Sequence, residues 1–257
     1  MPFQTNAMLN LDNFYKSPIT VDNVIIGFDK DDLKVLLIKR KEEPFINQWA
    51  LPGYFVKEGE NLDDAAVRVL EEITGLKDVY LEQVATFGNI ERHPSGRVIT
   101  VAYYSLIAIQ DYIVTPSEMA IEAAWVKVKD IKKLSFDHIE ILHSCFQRLK
   151  RKVRIEPIGF ELLPPKFTLT DLQLLYEAIL EVNLDKRNFR KKILSMNLLL
   201  DLEEVQEGVA HRPARLYRFI ESKYQEFLAK GLIFDLSEGK SKQSKANRIS
   251  DIDVHSE

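Results

Sequence analysis

Cysteine is almost missing from this chain: there is one, Cys145, in 257 residues. A single thiol forms no intrachain disulfide and no cysteine-based zinc cluster. A reducing cytoplasm is therefore the expected location. No apolar run approaches the roughly 18 residues that a membrane span needs. The first 17 residues lack the apolar centre of a signal peptide, and Asp12 interrupts them. No internal repeat is visible. Neither sign of charge dominates: 35 Lys and Arg stand against 39 Asp and Glu, a net of −4. That balance disfavours a wholly basic nucleic-acid coat protein and is silent about a local basic patch. With 46% hydrophobic and 29% charged residues the composition is globular, and the length leaves room for two compact domains.

What is present changes character about halfway along. Residues 21–28, 34–40, 98–109 and 123–128 are β-branched or aromatic runs between turn signals and read as strands. Between them Leu62, Ala66, Val69, Leu70 and Ile73 keep helical spacing, and Gly75 ends that helix. A second helix is expected from Phe136 to Arg151. Strands around a helix indicate an α+β layered domain. Beyond Pro157 the chain becomes mainly helical. Thr170 and Gln173 have capping-box spacing, ahead of an apolar stripe of Leu172, Leu175, Tyr176, Ile179 and Leu180. Asp185 opens a shorter helix to about Met196, with Phe189, Ile193 and Met196 as its apolar side. A polar stretch with Gly208 leads to RPARLYRF at 212–219. Helix, turn, helix and hairpin is the order of a winged helix-turn-helix. The expected division is an N-terminal arm at 1–18, an α+β domain at 19–156, a winged helix at 157–236, and a disordered tail at 237–257 with only four aliphatic residues.

From Gly53 to Leu76 the sequence reads GYFVKEGENLDDAAVRVLEEITGL. This resembles the Nudix box, G-x5-E-x7-R-E-U-x-E-E-x-G-U with U a bulky aliphatic. Glu60, Arg68, Leu70, Glu72, Gly75 and Leu76 occupy box positions. Three positions depart. Tyr54 stands at the first glycine, although Gly53 precedes it. Val69 stands at the glutamate after the arginine, and Ile73 at the second paired glutamate. Positions 69, 72 and 73 are spaced i, i+3 and i+4 and are expected to share one helix face. In Nudix hydrolases that face holds magnesium against a diphosphate, and magnesium needs several oxygen ligands. Here it offers one carboxylate. The resemblance thus implies a Nudix α/β/α sandwich that binds a ligand, with no metal ligands assigned and no cofactor required. If activity were retained, magnesium would be needed and Glu60, Arg68 and Glu72 would carry it. Arg68 reads otherwise as a structural salt bridge fastening the box loop to its helix.

Outside the box, TFGNIERHPSGRVITVAYYSLI (86–107) resembles the Nudix branch nearest ADP-ribose and sugar-nucleotide enzymes. FTLTDLQLLYEAIL, LDKRNFRKKIL and RPARLYRF resemble the winged helix of Nudix-related transcriptional regulators. The resemblance covers roughly residues 19–235. It implies a dimeric regulator that binds a double-stranded DNA operator and a small-molecule effector. The rivals are a magnesium-dependent hydrolase of ADP-ribose or a related nucleoside diphosphate, and a protein-interaction module. The lost magnesium ligands favour a neutral pentose such as arabinose as effector over ADP-ribose. Lys39, Arg40, Trp49, Tyr54, Glu60, Glu72, Asn89 and Arg92 are the candidate ligand residues. Tyr103 and Tyr104 are expected on opposite sides of one strand, one in the core and the other facing solvent or a partner. His93, beside Pro94, reads as a solvated loop residue.

The DNA candidates are electrostatic. Residues 186–192, KRNFRKK, hold five basic residues in seven. Residues 148–230 carry 16 Lys and Arg against 12 Asp and Glu, a net of +4, which leaves −8 to the rest of the chain. A local positive footprint is what duplex phosphates attract, and Arg and Asn can read base edges in the major groove. Lys186, Arg187, Asn188, Arg190, Lys191 and Lys192 are assigned to the recognition helix. Arg212 and Arg215, flanking the stiffening Pro213, are assigned to wing contacts with phosphate, the alternative being salt bridges to Glu203, Glu204 or Glu207. Lys150, Arg151, Lys152 and Arg154 read as a solvated charged linker.

Overall fold

The computed structural model describes residues 16–29, 32–210 and 212–230. Most of the expected N-terminal arm and all of the expected tail lie outside these residues. A seven-stranded sheet forms first. Its main path runs β3 (Trp49–Ala50), β2 (Asp32–Arg40), β1 (Ile19–Asp29), β6 (Ile99–Ala108), β5 (Glu82–Phe87). β4 (Gly53–Phe55) also pairs with β1, and β7 (Ala120–Lys127) with β2. β1 and β6 are parallel, in register from Ile19↔Ile99 to Phe28↔Ala108. The other pairings are antiparallel.

Strand alternation sorts β1 between two layers. Val24, Ile26 and Phe28 point to the face covered by α2 (His138–Ile155). Val21 and Ile25 point to the face covered by α1 (Leu62–Thr74). The result is the expected α/β/α sandwich. Both β1 and β6 are covered on both faces, which explains why they are mostly apolar on both sides of the pleat. It also corrects the expectation for the two tyrosines. Tyr103 and Tyr104 are both buried, on opposite faces, with their hydroxyls on Asp63 (2.6 Å) and Glu82 (3.2 Å). α1 ends at Gly75, whose φ of 75° is a left-handed conformation that costs glycine little. α2 runs four residues past the expected Arg151. It carries Cys145, whose thiol burial pushes up to about 12, out of reach of thiolate chemistry.

The second half begins with a single helical turn at Phe160–Leu162. α3 (Leu169–Leu180), α4 (Lys186–Ser195), the hairpin β8 (Leu199–Val205) and β9 (Arg215–Phe219), and α5 (Glu221–Ala229) follow. This is the winged helix. Its first helix starts earlier than expected. The capping box is Thr168 and Asp171: the Thr168 hydroxyl accepts from the backbone N–H of Thr170 and Asp171, and Asp171 accepts from the Thr168 N–H. Gln173 instead ties the helix-turn-helix turn, donating to the Leu184 carbonyl at 3.1 Å. The core does not stop at Pro157. Leu172, Leu175, Tyr176, Phe189 and Ile193 join one apolar cluster with Leu149 and Val153 of α2 and the strand residues above. Within it the Phe160 and Phe219 rings stack at 4.0 Å, and the buried Tyr176 hydroxyl donates to the Ile158 carbonyl at 3.0 Å.

Candidate ligand cleft and nucleic-acid surface

Contrary to the expectation from their spacing, positions 69, 72 and 73 of the box helix do not share one face. Val69 and Ile73 are 0% and 1% exposed, packed against Val21, Ile38 and Tyr103. Glu72 points outward instead. Positions four apart lie only about 40° apart around a helix, so 69 and 73 follow each other into the core, while 72 falls toward the rim. The remaining box carboxylates are held by cations. Arg68 grips Glu60 with two hydrogen bonds (Nε 2.5 Å, Nη2 2.8 Å), Glu72 with a third (2.8 Å) and the Phe55 carbonyl with a fourth (3.1 Å). Lys57 adds its backbone N–H to Glu60 and its ammonium to Glu72. Every oxygen of the two carboxylates is therefore engaged. The Arg68 hydrogen bonds hold the Glu60 carboxyl down to about 2. At Glu72 partial burial pushes upward, but Arg68 and Lys57 together outweigh it and the net direction is down. This donor set does not fit a magnesium ion bound against diphosphate. Among the described residues no cluster of three or more His, Cys, Asp or Glu is arranged to hold a metal. Arg68 does what its structural reading predicts: it fastens β4 and the box loop to α1.

Beside the box, a cleft of about 230 Å³ opens between β1, the β2–β3 loop, β4, the β5–β6 loop and the start of α2. Three of the expected ligand residues line it: Arg40, Tyr54 and Arg92. The other five do not. Lys39 pairs across to Trp49 in the sheet, and the Trp49 carbonyl accepts from Ser135. Glu60 and Glu72 are in the Arg68 clasp. Asn89 shapes its own loop, accepting from the Glu91 N–H at 2.9 Å.

The floor of the cleft was not legible from sequence motifs. Asp22, on β1, is 4% exposed. It accepts from the Thr100 hydroxyl at 2.7 Å, faces His138 Nε2 at 3.4 Å and has Arg92 at 3.6 Å. His138 Nδ1 accepts the Leu51 N–H at 2.9 Å, so the ring's hydrogen belongs on Nε2, toward Asp22. Burial pushes the His138 ring below its ordinary 6.5 despite Asp22 and Asp137. Arg92 donates twice to Asp137 (2.8 and 2.7 Å). One wall is aromatic. His93 stacks on Phe136 at 5.0 Å, Phe45 meets the same ring edge-on at 4.8 Å, and the Arg40 guanidinium lies 4.9 Å above it. His93 is thus a packed wall residue, contrary to its solvated reading. The cleft thus brings two guanidinium groups and an aromatic wall together with the carboxylates of Asp22, Glu42 and Glu43.

On the second half, Lys186, Arg187, Asn188 and Lys191 are exposed along α4, while Phe189 and Ile193 face the core. Asp185 caps the helix through the Asn188 N–H at 2.8 Å. Among the described residues Lys186, Arg187, Lys191 and Lys192 have no carboxylate partner. Arg190 differs: its Nη2 donates to the Thr170 hydroxyl at 2.9 Å, joining α4 to the head of α3. In the wing, Arg215 pairs with Asp201 at 2.8 Å rather than with the glutamates considered for it, and Arg212 is exposed. Glu204 is engaged by Lys166. Arg218, exposed on β9, is a further cation that the sequence reading passed over. The expected solvated linker is half paired: Lys150 meets Glu181 at 2.7 Å, and Lys152 meets Glu82 at 2.6 Å.

Comparison with known proteins agrees with this two-part architecture. A NUDIX domain model matches residues 16–145, and a model of the NrtR DNA-binding winged helix domain matches residues 159–219. The chain is 40% identical over 217 residues to the ADPR responsive transcriptional repressor NtrR of Acinetobacter baylyi, covering 82% of this chain and 85% of that one. The crystal structure of Shewanella oneidensis NrtR complexed with a 27mer DNA superposes with a TM-score of 0.70 at 30% identity, over 80% of this chain and 95% of that one. The NUDIX domain of the same Shewanella protein, in cocrystals with ADP ribose, gives a TM-score of 0.51 at 31% identity, over 55% of this chain and 94% of that one. None of these relatives is described by a pentose. The inference from lost magnesium ligands to arabinose is thus unsupported; it overlooked the cations that hold the remaining box carboxylates and line the neighbouring cleft.

Proposed function

We propose, from the premise that this chain belongs to the family of DNA-binding transcriptional regulators that join a Nudix domain to an NrtR-type winged helix, that its effector is ADP-ribose and that the cleft at Arg40, Arg92 and Phe136 receives it. The observation that carries this reading is the pairing of two guanidinium groups with an aromatic wall beside a box whose two remaining motif carboxylates, Glu60 and Glu72, are both held by Arg68. Arg40 and Arg92 suit the diphosphate, since arginine matches phosphate oxygens two at a time. Tyr54, and His93 where it stacks on Phe136, offer ring faces for the base or a ribose. The relative described as ADPR responsive and the Nudix domain cocrystallised with ADP ribose support the same ligand.

The second half supplies the DNA contact. α4 lies second in the helix-turn-helix, where a recognition helix enters the major groove. Its exposed cations and Asn188 are assigned to phosphates and base edges, and Arg212 and Arg218 to the wing. Arg190 is reassigned from DNA to the α3–α4 joint, and Arg215 to the hairpin. A homodimer with two winged helices fits a palindromic operator; an effector acts by favouring one relative placement of those helices.

The test is direct. Calorimetry should show ADP-ribose binding without magnesium, and Arg92→Ala should weaken it at least tenfold, while arabinose gives no heat. Magnesium-dependent release of AMP from ADP-ribose, abolished by Glu72→Gln, would establish the hydrolase instead.

A further inference from the structure

The cleft and the DNA-binding half meet through one helix, and the cleft's strongest ion pair sits at that helix's head. Phe136, Asp137 and His138 are consecutive and all serve the cleft: the first supplies its wall, the second holds Arg92, the third faces Asp22. His138 is also the first residue of α2. Over 18 residues α2 extends about 27 Å. Its far half grips β5 through Arg148 and Lys152 on Glu82, and reaches α3 through Lys150 on Glu181. Just beyond its end, the Ile158 carbonyl receives the Tyr176 hydroxyl of α3.

Resting on the ADP-ribose reading, we infer that Asp137 is the residue through which an occupied cleft acts on the winged helix: effector phosphate and Asp137 compete for the guanidinium of Arg92. Three observations converge on it. Arg92 is 8% exposed yet lines the cleft, and both its Nε and its Nη2 donate to Asp137. A phosphate taking those two donors displaces the carboxylate. Asp137 stands at the N-cap of α2, but its side chain caps nothing. Aspartate is a preferred N-cap, and a helix N-terminus favours negative charge, so the displaced carboxylate gains a second partner once the Asp137 ψ, 22° here, turns to the extended value that a capping side chain needs. Asp137 therefore has two discrete arrangements, on Arg92 or on the head of α2. The preceding Phe136 has a φ of 54°, a region that bulky residues rarely occupy. Release of Asp137 frees that backbone. The far end of α2 borders a cleft of about 620 Å³ between the sheet and α5, lined by Tyr104, Lys152, Glu161 and Tyr224. The joint between the halves is open there, so a tilt of α2 has somewhere to go.

The experiment uses full-length chain, a duplex selected by this protein from a random library, and Asp137→Ser, which keeps a good N-cap. Duplex affinity is measured by anisotropy with and without ADP-ribose, and ADP-ribose affinity by calorimetry. In the wild type ADP-ribose should shift duplex affinity by about tenfold or more, within the usual range of allosteric coupling. Asp137→Ser should bind ADP-ribose at least as tightly, show less than about a twofold shift, and have a ligand-free duplex affinity equal to that of the ADP-ribose-bound wild type. An unchanged shift in the variant overturns the inference, as does a folded variant that no longer binds ADP-ribose. Failure of the wild type to bind ADP-ribose overturns the effector reading itself.

Discussion

Gly53 has no side chain because Asp22 occupies the place where one would be. The two residues are paired across β4 and β1, and a Cβ on Gly53 would lie 1.9 Å from the Asp22 carboxylate and 2.9 Å from the Val21 carbonyl. This relationship explains why glycine stands one position ahead of its place in the Nudix box. Gly53→Ala should therefore destabilise the fold by about 1–3 kcal/mol, the usual cost of overpacking. It should also loosen Asp22 from Thr100. Urea denaturation measures the first effect. A variant as stable as wild type would show that β4 can simply move aside.

The Arg68 clasp predicts a specific acid dependence. Glu60 is depressed from 4.5 to about 2 in the fold. A carboxylate lowered on folding stabilises above its unfolded value, and that contribution is lost as pH falls through the folded value. The melting-temperature difference between wild type and Arg68→Gln should be constant above pH 5 and shrink between pH 4.5 and 2. A difference that stays the same down to pH 2 would mean that the ionised Glu60 contributes nothing to the clasp.

His138 acts in a higher window. Its pKa is lowered by burial, so the unfolded chain binds a proton that the folded chain resists. Stability is complete above 6.5 and declines as pH falls below it toward the folded value. The decline should begin before any carboxylate titrates. His138→Asn, with its side-chain oxygen placed to accept the Leu51 N–H, should flatten the melting curve between pH 6.5 and 5.

On the DNA-binding half, two kinds of cation should separate by salt. Arg187→Ala and Lys191→Ala each remove an exposed charge and should weaken duplex binding, lowering the log–log salt slope by about 0.9 for each phosphate no longer neutralised. Arg190→Ala removes the α3–α4 tie instead. It should lower the melting temperature and leave the slope unchanged. Equal slope changes in all three would return Arg190 to the DNA.

Local order reached the winged helix well. Asp185 as a cap, the Phe189 and Ile193 side, and the basic run of α4 follow from spacing alone, because a helix repeats over a few residues. The box was equally legible, and Arg68 met its structural expectation. The candidate cleft was not. Asp22, Asp137 and His138 come from distant strands and a helix start, and no local pattern marks a buried carboxylate among apolar neighbours. Thr170 resembled a cap because the true cap, Thr168, has the same chemistry two residues earlier.

The sequence by itself determined the order of elements, the loss of box carboxylates at 69 and 73, and the division between an acidic first part and a basic second one. Those are properties of side-chain identity and short-range periodicity. Only the tertiary structure decided that Val69 and Ile73 are core, that Arg68 neutralises the carboxylates left behind, and that Arg92 is shared between a cleft and the helix leading to the winged half. Each of these depends on which distant segments the parallel pairing of β1 with β6 brings together, and on burial that turns exposed charges into paired ones.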